Sequence, residues 1–539
     1  MRRGGVAVGP SWTGAMAICG IAGGRGGIRA AGGSSIQIEA AIDLSSARAV
    51  IAPSAGKFLN RIGARSARHD ISRPEGASST RRSCDHGPPL TRLSSRGFSK
   101  LAVTTTMSLS VKFRLDSKMK NRSVTLATVV FAMLLHMPIA SAATYYVSAT
   151  GKDSNNGTST TTPFLTIKKA AGLTNPGDIV NIMNGTYGPF TISRSGTSSA
   201  YVTYQAYPGH HPRVNKTGST WNGITVGTGT SYIVIAGFNV VGNAQSITYN
   251  QALAAVDQNT TTNGNCIGSG TASHHIIIKN NILSYCPGGG IISTGDYLYI
   301  YSNIIHHNAF WSPLADSGIT VNGKDSDSYT GAKIFVNGNI FYRNQNFICN
   351  KYQTSPCRIS DGEGIIVDSN KNSGFAGRVR ITNNIAYNNG GPGIQVYKSQ
   401  HVDVINNTTF KNNISAAEPA PFTGHVGGGD INIAQSNDVN AYNNNIYGSS
   451  NVPMVYPAMV NVTNLHWDYN ILFNGGGVKA IGAHDLVADP LFVGASSFDF
   501  HLKSGSPAIA SGTATLAPST DFDGKSRPTS SITRGAYQY

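Results

Sequence analysis

The sequence predicts an all-β protein whose main body is a single-stranded, right-handed parallel β-helix, closed at its N-terminal end by a short helix cap. Three observations lead to this fold class. Short apolar strands recur and end at asparagine, a second short strand beginning with Gly-Ile precedes many of them, and Asn/Gly turns connect the strands. A period of about 20–50 residues is typical of solenoids, in which no repeat can bury its apolar face alone.

The asparagine-ended strands set the period of the repeat. They include IIIKNNI, IFVNGNI and VRITNNI, and successive anchoring asparagines are 22, 36, 45, 23, 38 and 25 residues apart. Asn239 lies 42 residues before Asn281, which we interpret as two coils of 21 residues. Stacked asparagine side chains at tight bends can hydrogen-bond along a ladder. The predicted anchoring residues are Asn281, Asn303, Asn339, Asn384, Asn407, Asn445 and Asn470.

The Gly-Ile strands give each coil a second element. Their Ile and Val residues alternate with other residues, so we expect them to point inward while the coils stack about 4.8 Å apart. Leucine-rich repeats share the period, but their leucine framework is missing, which favours the parallel β-helix. The strands begin at Gly290-Ile291, Gly318-Ile319, Gly364-Ile365, Gly393-Ile394 and, in degenerate form, Asp430-Ile431.

The N-terminal part of the chain contains a predicted signal peptide at 119–142. It combines a basic start, an apolar run of 14 residues at Val124–Met137 and a small-residue exit. That run is shorter than the about 20 residues that span a bilayer. Residues 1–106 lack sustained periodicity, and residues 1–118 are predicted to be a non-native or disordered extension, with a natural start at Met107 or Met119. We therefore expect a secreted, extracellular or periplasmic mature chain, monomeric and without an integral membrane segment.

The charge distribution argues against a nucleic-acid partner. Residues 1–142 hold 20 Lys/Arg and 6 Asp/Glu, a net +14, whereas residues 143–539 hold 22 and 20, a net +2. A basic binding surface on the main body is therefore largely excluded. The mature part is predicted to comprise an N-terminal cap with the first coils (143–230), the parallel β-helix (231–480) and a C-terminal cap segment (481–539).

Four cysteines remain after the predicted signal peptide. An even number in an exported chain suggests two disulfides. The neighbouring pairs Cys266–Cys286 and Cys349–Cys357 are favoured, and no C-x-x-C motif indicates a zinc or thioredoxin-type site.

The two ends of the mature part carry a family resemblance. The opening reads TYYVSATGKDSNNGT (144–158), PFLTIKKAAG (163–172) and NPGDIVNIMNGTYG (175–188), and the ending includes DPLFVG (489–494) and RGAYQY (534–539). With the repeats, these segments resemble secreted bacterial parallel β-helix proteins of the pectin-lyase-like superfamily. The resemblance implies that the second opening segment is a short helix closing the core. It implies a polysaccharide lyase-like protein only broadly, because lyases, hydrolases, epimerases and binding proteins share the fold.

Long insertions are predicted to form the walls of a groove. The excess length lies between Asn303 and Asn445. Loops on consecutive coils of a rigid scaffold commonly carry function. The inserted loops are 308–317, 323–331, 345–360, 369–377 and 413–427.

Alignment of the Gly-Ile strands brings polar and charged residues onto about three coils. The predicted outward column is Thr320, Ile366 and Gln395, and its neighbour is Asn322, Asp368 and Tyr397. Carboxylates lie at the strand entrances, lysines at the exits and arginines in adjoining segments. The charged residues are Asp316, Asp361, Glu363, Lys324, Lys371, Lys398, Arg343, Arg358, Arg378 and Arg380.

This mixture suits β-elimination on an acidic, uronate-containing polysaccharide. The reaction needs the uronate charge neutralised, by Ca²⁺ or by a cationic side chain, and a base for the proton at C5. The predicted Ca²⁺ ligands are Asp316, Asp361, Glu363 and Asp368. The predicted catalytic residues are Lys398 or Lys324 as base, with Asp368 and Glu363. The predicted substrate-binding residues are Arg343, Arg378, Arg380, Tyr397, Gln395 and Trp311.

The chain departs from the family-nine pectate lyases that its repeats resemble. Those proteins place the base lysine four residues after the strand glycine, where this chain has Asn322, Asp368 or Tyr397. Their Asp-Asp-Gly calcium motif is also absent. Two other functions therefore stay open: a glycoside hydrolase that uses Asp368 with Glu363 or Asp361, and a non-catalytic carbohydrate-binding protein whose loop aromatics stack on sugars.

Overall fold

The computed structural model describes 141–218, 220–255, 259–351, 359, 361–414, 429–449, 461–476 and 481–539, together with the backbone of three strands nearer the N-terminus. Those three strands, β1 (Gly26–Arg29), β2 (Ser35–Ile42) and β3 (Leu109–Arg114), form an antiparallel sheet in the order β1-β2-β3. They were not predicted, and they belong to a compact unit, residues 1–139, separate from residues 140–539. Cys357, Arg358 and most of the predicted signal peptide lie outside the described residues.

The main body consists of three parallel sheets, and a typical coil contributes one strand to each. Sheet 1 contains the Gly-Ile strands, and its members are β7 (Phe190–Ile192), β10 (Asn222–Val226), β13 (Asn265–Ser269), β16 (Ile291–Ser293), β19 (Ile319–Val321), β22 (Ile365–Asp368), β25 (Ile394–Tyr397) and β28 (Ile431–Ala434).

Sheet 2 contains longer strands that follow those of sheet 1. Its members are β4 (Thr144–Val147), β5 (Ile179–Ile182), β8 (Val202–Ala206), β11 (Ser231–Ala236), β14 (His274–Lys279), β17 (Asp296–Tyr301), β20 (Ala332–Asn337), β23 (Arg378–Thr382), β26 (Gln400–Ile405), β29 (Asn437–Tyr442) and β31 (Thr463–Asp468).

Sheet 3 contains short strands that follow the asparagine bends. Its members are β6 (Thr186–Tyr187), β9 (Arg213–Asn215), β12 (Asn239–Val241), β15 (Ile282–Ser284), β18 (Ile304–His306), β21 (Ile340–Tyr342), β24 (Ile385–Tyr387), β27 (Thr408–Phe410), β30 (Asn445–Tyr447), β32 (Ile471–Phe473) and β33 (Leu486–Val487).

The coil path confirms the predicted right-handed parallel β-helix. The chain runs through sheets 1, 2 and 3 in turn and then begins the next coil, so that equivalent residues pair directly, as Ile291 does with Ile319. Parallel crossovers of this kind are right-handed in nearly all proteins. Inward-facing Ile, Val and Phe side chains from the three sheets form one continuous buried core.

Two short helices accompany the sheets. The first, α1 (Ile167–Ala171), is the predicted N-terminal cap: Thr166 accepts a hydrogen bond from the Lys169 N–H, and Ile167 packs in the main core. The second, α2 (Tyr249–Ala254), lies in the insertion between β12 and β13. Short 3₁₀ turns occupy Ala244–Ser246 and Ala495–Ser497. None of the helices in the described ranges is long and apolar enough to cross a membrane.

The predicted asparagine ladder exists, but its register is wrong at two places. Asn444, not Asn445, is the rung between Asn407 and Asn470. Asn445 pairs with Thr408 in sheet 3, because it takes the position that isoleucine holds after other rungs. At the other end Phe238, not Asn239, precedes Asn281, and a single coil of 43 residues separates them. The interpretation as two coils of 21 residues is therefore wrong.

A second ladder, which was not predicted, runs along the corner between sheets 3 and 1. Each asparagine amide donates to the next side-chain oxygen, and the rungs are Asn308, Asn344, Asn389, Asn412 and Asp430. The glycine of the Gly-Ile strands recurs because each coil packs closely on the next: a Cβ atom on Gly290, Gly318 or Gly364 would lie 2.5, 2.5 or 2.6 Å from the carbonyl oxygen of the following Gly-Ile glycine. The ladder adds to this crowding at two of the glycines. A Cβ atom on Gly318 would lie 2.9 Å from Nδ2 of Asn344, and one on Gly393 would lie 2.8 Å from that of Asn412.

The Cys266–Cys286 disulfide is confirmed and continues the second ladder toward the N-terminus. The Cys286 N–H donates to Asn308 Oδ1, so this cysteine lies where later coils place asparagine. Cys266 precedes Ile267, which pairs with Ile291, and so it takes the place of the Gly-Ile glycine. Cys349 is also disulfide-bonded.

The last rung of the second ladder gives a pH-dependence prediction. Burial raises the pKa of Asp430 to about 7, while Asn412 donates to its Oδ1 from both N and Nδ2. Between the ordinary aspartate pKa and about 7, the folded state binds a proton that the unfolded state lacks, so stability falls as pH rises through this window. We expect Asp430→Asn to flatten that decline in thermal melts at pH 4–8. A difference between the two proteins that does not vary with pH would contradict this assignment.

The C-terminal segment lies along the flank of the solenoid. After an antiparallel pair, β34 (Phe492–Gly494) and β35 (Asp499–Leu502), residues 505–539 run back past earlier coils. Arg534 donates to the Asn470 carbonyl and Arg527 to Asn383 Oδ1, 144 residues away in sequence. Both arginines are buried, so these bonds fasten the segment, here called the strap, to the bends between sheets 2 and 3.

Candidate functional site

The described parts of the predicted wall loops flank sheet 1 on both sides. Loops 308–317, 345–351 and 413–414 lie before its strands, on the corner with sheet 3. Loops 323–331 and 369–377 leave its strands toward sheet 2. The insertions thus occur where they can enclose the outer face of sheet 1, the surface that carries the predicted columns.

Strand pairing confirms both predicted columns. Thr320, Ile366 and Gln395 are direct partners in sheet 1, and Asn432 extends the column by one coil. Asp368 pairs with Tyr397, and the Asn322 side chain donates to the Asp368 carbonyl at 2.9 Å.

The side chains of the first column lie on the outer face of sheet 1 and are nevertheless almost fully buried. Thr320, Gln395 and Asn432 are at most 8% exposed. Among the residues that the structure describes, their side-chain oxygens have no hydrogen-bond partner. Buried polar atoms normally have partners, so this row is an exception. Ile366 supplies an apolar contact in the middle of the row.

A carboxyl cluster lies at the entrance of β19 and β22. Glu363 is fully buried, and the Ser317 hydroxyl donates to its Oε2. Burial, with the neighbouring Asp361 carboxylate, raises the pKa of Glu363 well above its ordinary value. Asp316 accepts a hydrogen bond of 2.7 Å from Ser312, and burial raises its pKa to about 6. These groups therefore retain their protons to higher pH than ordinary carboxyls, a property that favours general acid catalysis.

Two lysines meet at the exit of the same sheet. An open cavity of about 340 Å³ is lined by Lys371, Asn372, Lys398, Gln435 and Asn461. Lys398 has a left-handed backbone with a φ of 48°, and its Nζ lies 4.9 Å from the centre of the Tyr397 ring.

Asp368 lies beside this cavity at the end of β22. Burial raises the pKa of Asp368, although the Ser369 hydroxyl and the nearby Lys398 charge act in the opposite direction. The arrangement places an accessible pair of ammonium groups next to a carboxyl that retains its proton to higher pH than an ordinary aspartate. We call this group, Asp368 with Lys371 and Lys398, the exit site.

Other predicted residues lie elsewhere. Arg378 belongs to sheet 2 and contacts Asp403 at 2.8 Å and Asp438, and Arg380 contacts Asp403 at 3.6 Å. These arginines form an ion-pair network apart from the sheet-1 columns.

The remaining three predicted residues are also outside the exit site. Arg343 is exposed just after β21, and Lys324 is exposed in the loop after β19. Trp311 donates from Nε1 to the Ala244 carbonyl at 2.9 Å and packs with Ile348, which gives it a structural role.

The four predicted Ca²⁺ ligands do not fit a calcium site. Among the residues that the structure describes, no three His, Cys, Asp or Glu side chains are arranged to hold a metal ion. Burial raises the pKa values of Asp316, Glu363 and Asp368, whereas Ca²⁺ binds ionised carboxylates. Calcium stays a prediction, and we derive no step through it.

A lysine fills the carboxylate cluster that most resembles a cation site. Lys333 is completely buried, and its Nζ lies 2.7 Å from Asp325, 2.8 Å from Asp327 and 3.3 Å from Asp296. Asp325 also accepts a hydrogen bond from the Ala376 N–H, so the charge cluster connects the loops 323–331 and 369–377, here called the exit loops. The sequence analysis did not predict this cluster. Its three aspartates lie within 32 residues of chain and precede the lysine, and this spacing could have indicated it.

Sequence reasoning also missed residues around both ends of sheet 1. Ser317, the partner of Glu363, directly precedes a Gly-Ile motif, and this position could have signalled its role. Gln435 and Asn461 reach the exit cavity through the coil geometry, and no local motif marks them.

Solved structures of similar fold include polysaccharide-active proteins. The crystal structure of pectate lyase Pel9A has a TM-score of 0.42 and 16% identity, covering 74% of this chain and 97% of that one. A rhamnogalacturonan lyase has a TM-score of 0.36 and 14% identity, covering 65% and 91%. The GH136 lacto-N-biosidase from Eubacterium ramulus has a TM-score of 0.38 and 17% identity, covering 62% and 56%. No protein-family model and no curated protein matches this sequence.

The three parallel sheets, the asparagine ladders and the helix cap define the class of this protein as a parallel β-helix solenoid. More particularly, each typical coil of this solenoid contributes one strand to each of three parallel sheets, as the predicted fold class requires.

Proposed function

We propose that this protein is a carbohydrate-active enzyme that cleaves an acidic, uronate-containing polysaccharide by β-elimination at the exit site. The observation that carries the proposal is the cavity at the end of sheet 1, where Lys371 and Lys398 are accessible beside Asp368. The Lys371 ammonium attracts a uronate carboxylate, and Lys398 lines the same cavity.

The chemistry assigns one role to each residue of the exit site. Lys371 pairs with the uronate carboxylate, which makes the proton at C5 more acidic. Lys398 takes that proton as the general base, and the C4–O bond breaks as the C4–C5 double bond forms. Asp368, whose raised pKa keeps it protonated to higher pH, donates its proton to the leaving oxygen.

The test is an ultraviolet assay of the unsaturated product on pectate, alginate and bacterial exopolysaccharides. We expect Lys398→Ala to lower kcat by about 10²–10⁴-fold, the range for loss of a general base. Lys398→Arg should be equally inactive, because arginine keeps the charge but does not release its proton. Lys324→Ala is the matched control, since Lys324 is exposed outside the cavity.

Two outcomes would contradict these assignments. Full activity of Lys398→Arg would remove the base role and leave only charge neutralisation. Activity lost in Lys324→Ala and retained in Lys398→Ala would move the reaction away from the exit site.

A glycoside hydrolase is the second candidate, and the entrance cluster favours it. Glu363 has a strongly raised pKa, an adjacent carboxylate at Asp361 and, among the described residues, a buried Oε1 with no hydrogen-bond partner. A protonated carboxyl beside an ionised one is the pairing that glycosidases use. New reducing ends without ultraviolet absorbance, abolished by Glu363→Gln, would establish this candidate in place of the lyase.

A further inference from the structure

A second cavity lies on a different face of the solenoid, between the last coils of sheet 2 and the strap. Its volume is about 360 Å³, at the lower end of the range of about 300–1,000 Å³ for small-molecule sites. Besides Leu465 and the buried Trp467, six polar or aromatic residues line it: Tyr442, His466, Asp468, Tyr469, Thr513 and Thr515. We propose that this cavity, here called the strap site, binds a neutral pyranose without cleaving it.

The walls of the strap site are fixed by their other contacts. The Tyr469 ring stacks on His484 with centroids 4.5 Å apart and planes 8° apart. Asp468 accepts hydrogen bonds of 2.7 Å from both N and Nδ1 of His484. The Thr513 N–H donates to Asn443 Oδ1 at 2.8 Å, which holds the strap against the coil. A site made of such braced side chains needs little ordering when a ligand binds, which favours binding.

The hydrogen-bonding groups that line the strap site indicate the chemical class of its ligand. The strap contributes the paired hydroxyls of Thr513 and Thr515, 3.0 Å apart, and the solenoid contributes Tyr442 and the exposed imidazole of His466. Groups that both donate and accept match sugar hydroxyls, and a tyrosine ring suits the apolar face of a pyranose.

The charged groups of the strap site favour a neutral ligand and not the uronate that the proposed lyase binds. Asp468 is the one carboxylate among the described lining residues, and no lysine or arginine is among them. Its pKa is lowered because hydrogen bonds from His484 outweigh the effect of burial, so it stays ionised near neutral pH. A uronate would meet the Asp468 carboxylate there with no lysine or arginine in the lining to bind its own carboxylate, whereas a neutral sugar needs no such partner. The exit site, with two lysines, has the opposite preference.

Saturation-transfer NMR and calorimetry with methyl glycosides of neutral pyranoses, and with galacturonate for comparison, test the proposal on the full chain. We expect neutral glycosides to bind the wild type and to bind Tyr442→Ala and His466→Ala at least about tenfold more weakly, a change of about 1.4 kcal/mol. Tyr329→Ala is the matched control, because Tyr329 is 58% exposed on another loop. His466 is exposed, so its variant remains informative if Tyr442→Ala fails to fold.

Lys398→Ala separates this proposal from the lyase. It should keep neutral-sugar binding even if it has lost activity, and binding should persist if the wild type has no lyase activity. The proposal is overturned if no neutral glycoside binds, if galacturonate binds the strap site as well as they do, or if both cavity variants bind like the wild type.

Discussion

Lys333→Met is expected to destabilise the folded protein by about 3–5 kcal/mol, the usual cost of removing one partner from a buried ion cluster. The Lys333 ammonium is completely buried among Asp296, Asp325 and Asp327, and methionine keeps most of its volume without its charge. Hydrogen bonding to Lys333 lowers the pKa of Asp327 to about 2. Because a lowered carboxyl pKa stabilises the folded state above the unfolded pKa, the difference between the proteins should shrink as pH falls toward about 2.

Urea unfolding monitored by circular dichroism measures this effect, with Lys324→Met as the control because Lys324 is exposed in the preceding loop. Equal stability of Lys333→Met and wild type would show that the cluster does not fasten the exit loops.

Asn384→Ala is expected to cost about 3 kcal/mol or more, because a buried group left without a partner costs about 1–3 kcal/mol. Asn384 is a central rung of the first ladder: it donates to the Val336 carbonyl at 2.8 Å and to Asn407 Oδ1 at 3.0 Å. Its own Oδ1 accepts both N–H and Nδ2 of Asn339 at 3.0 Å. One truncation thus removes four hydrogen bonds in the middle of the solenoid.

The same unfolding measurement applies, with Asn372→Ala as the control because Asn372 is exposed. Asn372→Ala should be within about 0.5 kcal/mol of the wild type, as is usual for surface substitutions. A similar small change in Asn384→Ala would mean that stacking of apolar side chains, and not the ladder, holds the bends.

The fold could be predicted because every coil buries its apolar side chains in the same way and therefore repeats the same sequence pattern. Where that pattern misleads, the cause is also physical. In the run Asn443-Asn444-Asn445 composition does not identify the rung, which is set by the inward direction of Ala441 and Ile446 in the neighbouring strands. The 43-residue coil before Asn281 is mistaken for two short coils because the insertion that contains α2 gives it about twice the usual length.

The candidate site was predictable only in part. Positions within sheet 1 follow from strand alternation, which is why the columns of Thr320 and Asp368 are confirmed. Residues outside that register are placed by long-range contacts. Arg378 directly follows the loop 369–377, but its side chain contacts Asp403 on sheet 2. Lys371 was noted at a strand exit, but its approach to Lys398 depends on the turn after β22.

A crystal structure of the Lys398→Arg variant with a bound oligogalacturonate tests the central claim most directly. The account expects the sugar chain on the outer face of sheet 1, with one carboxylate between residues 371 and 398. A chain bound on sheet 2 or sheet 3, or one whose carboxylates avoid both cationic side chains, would contradict it.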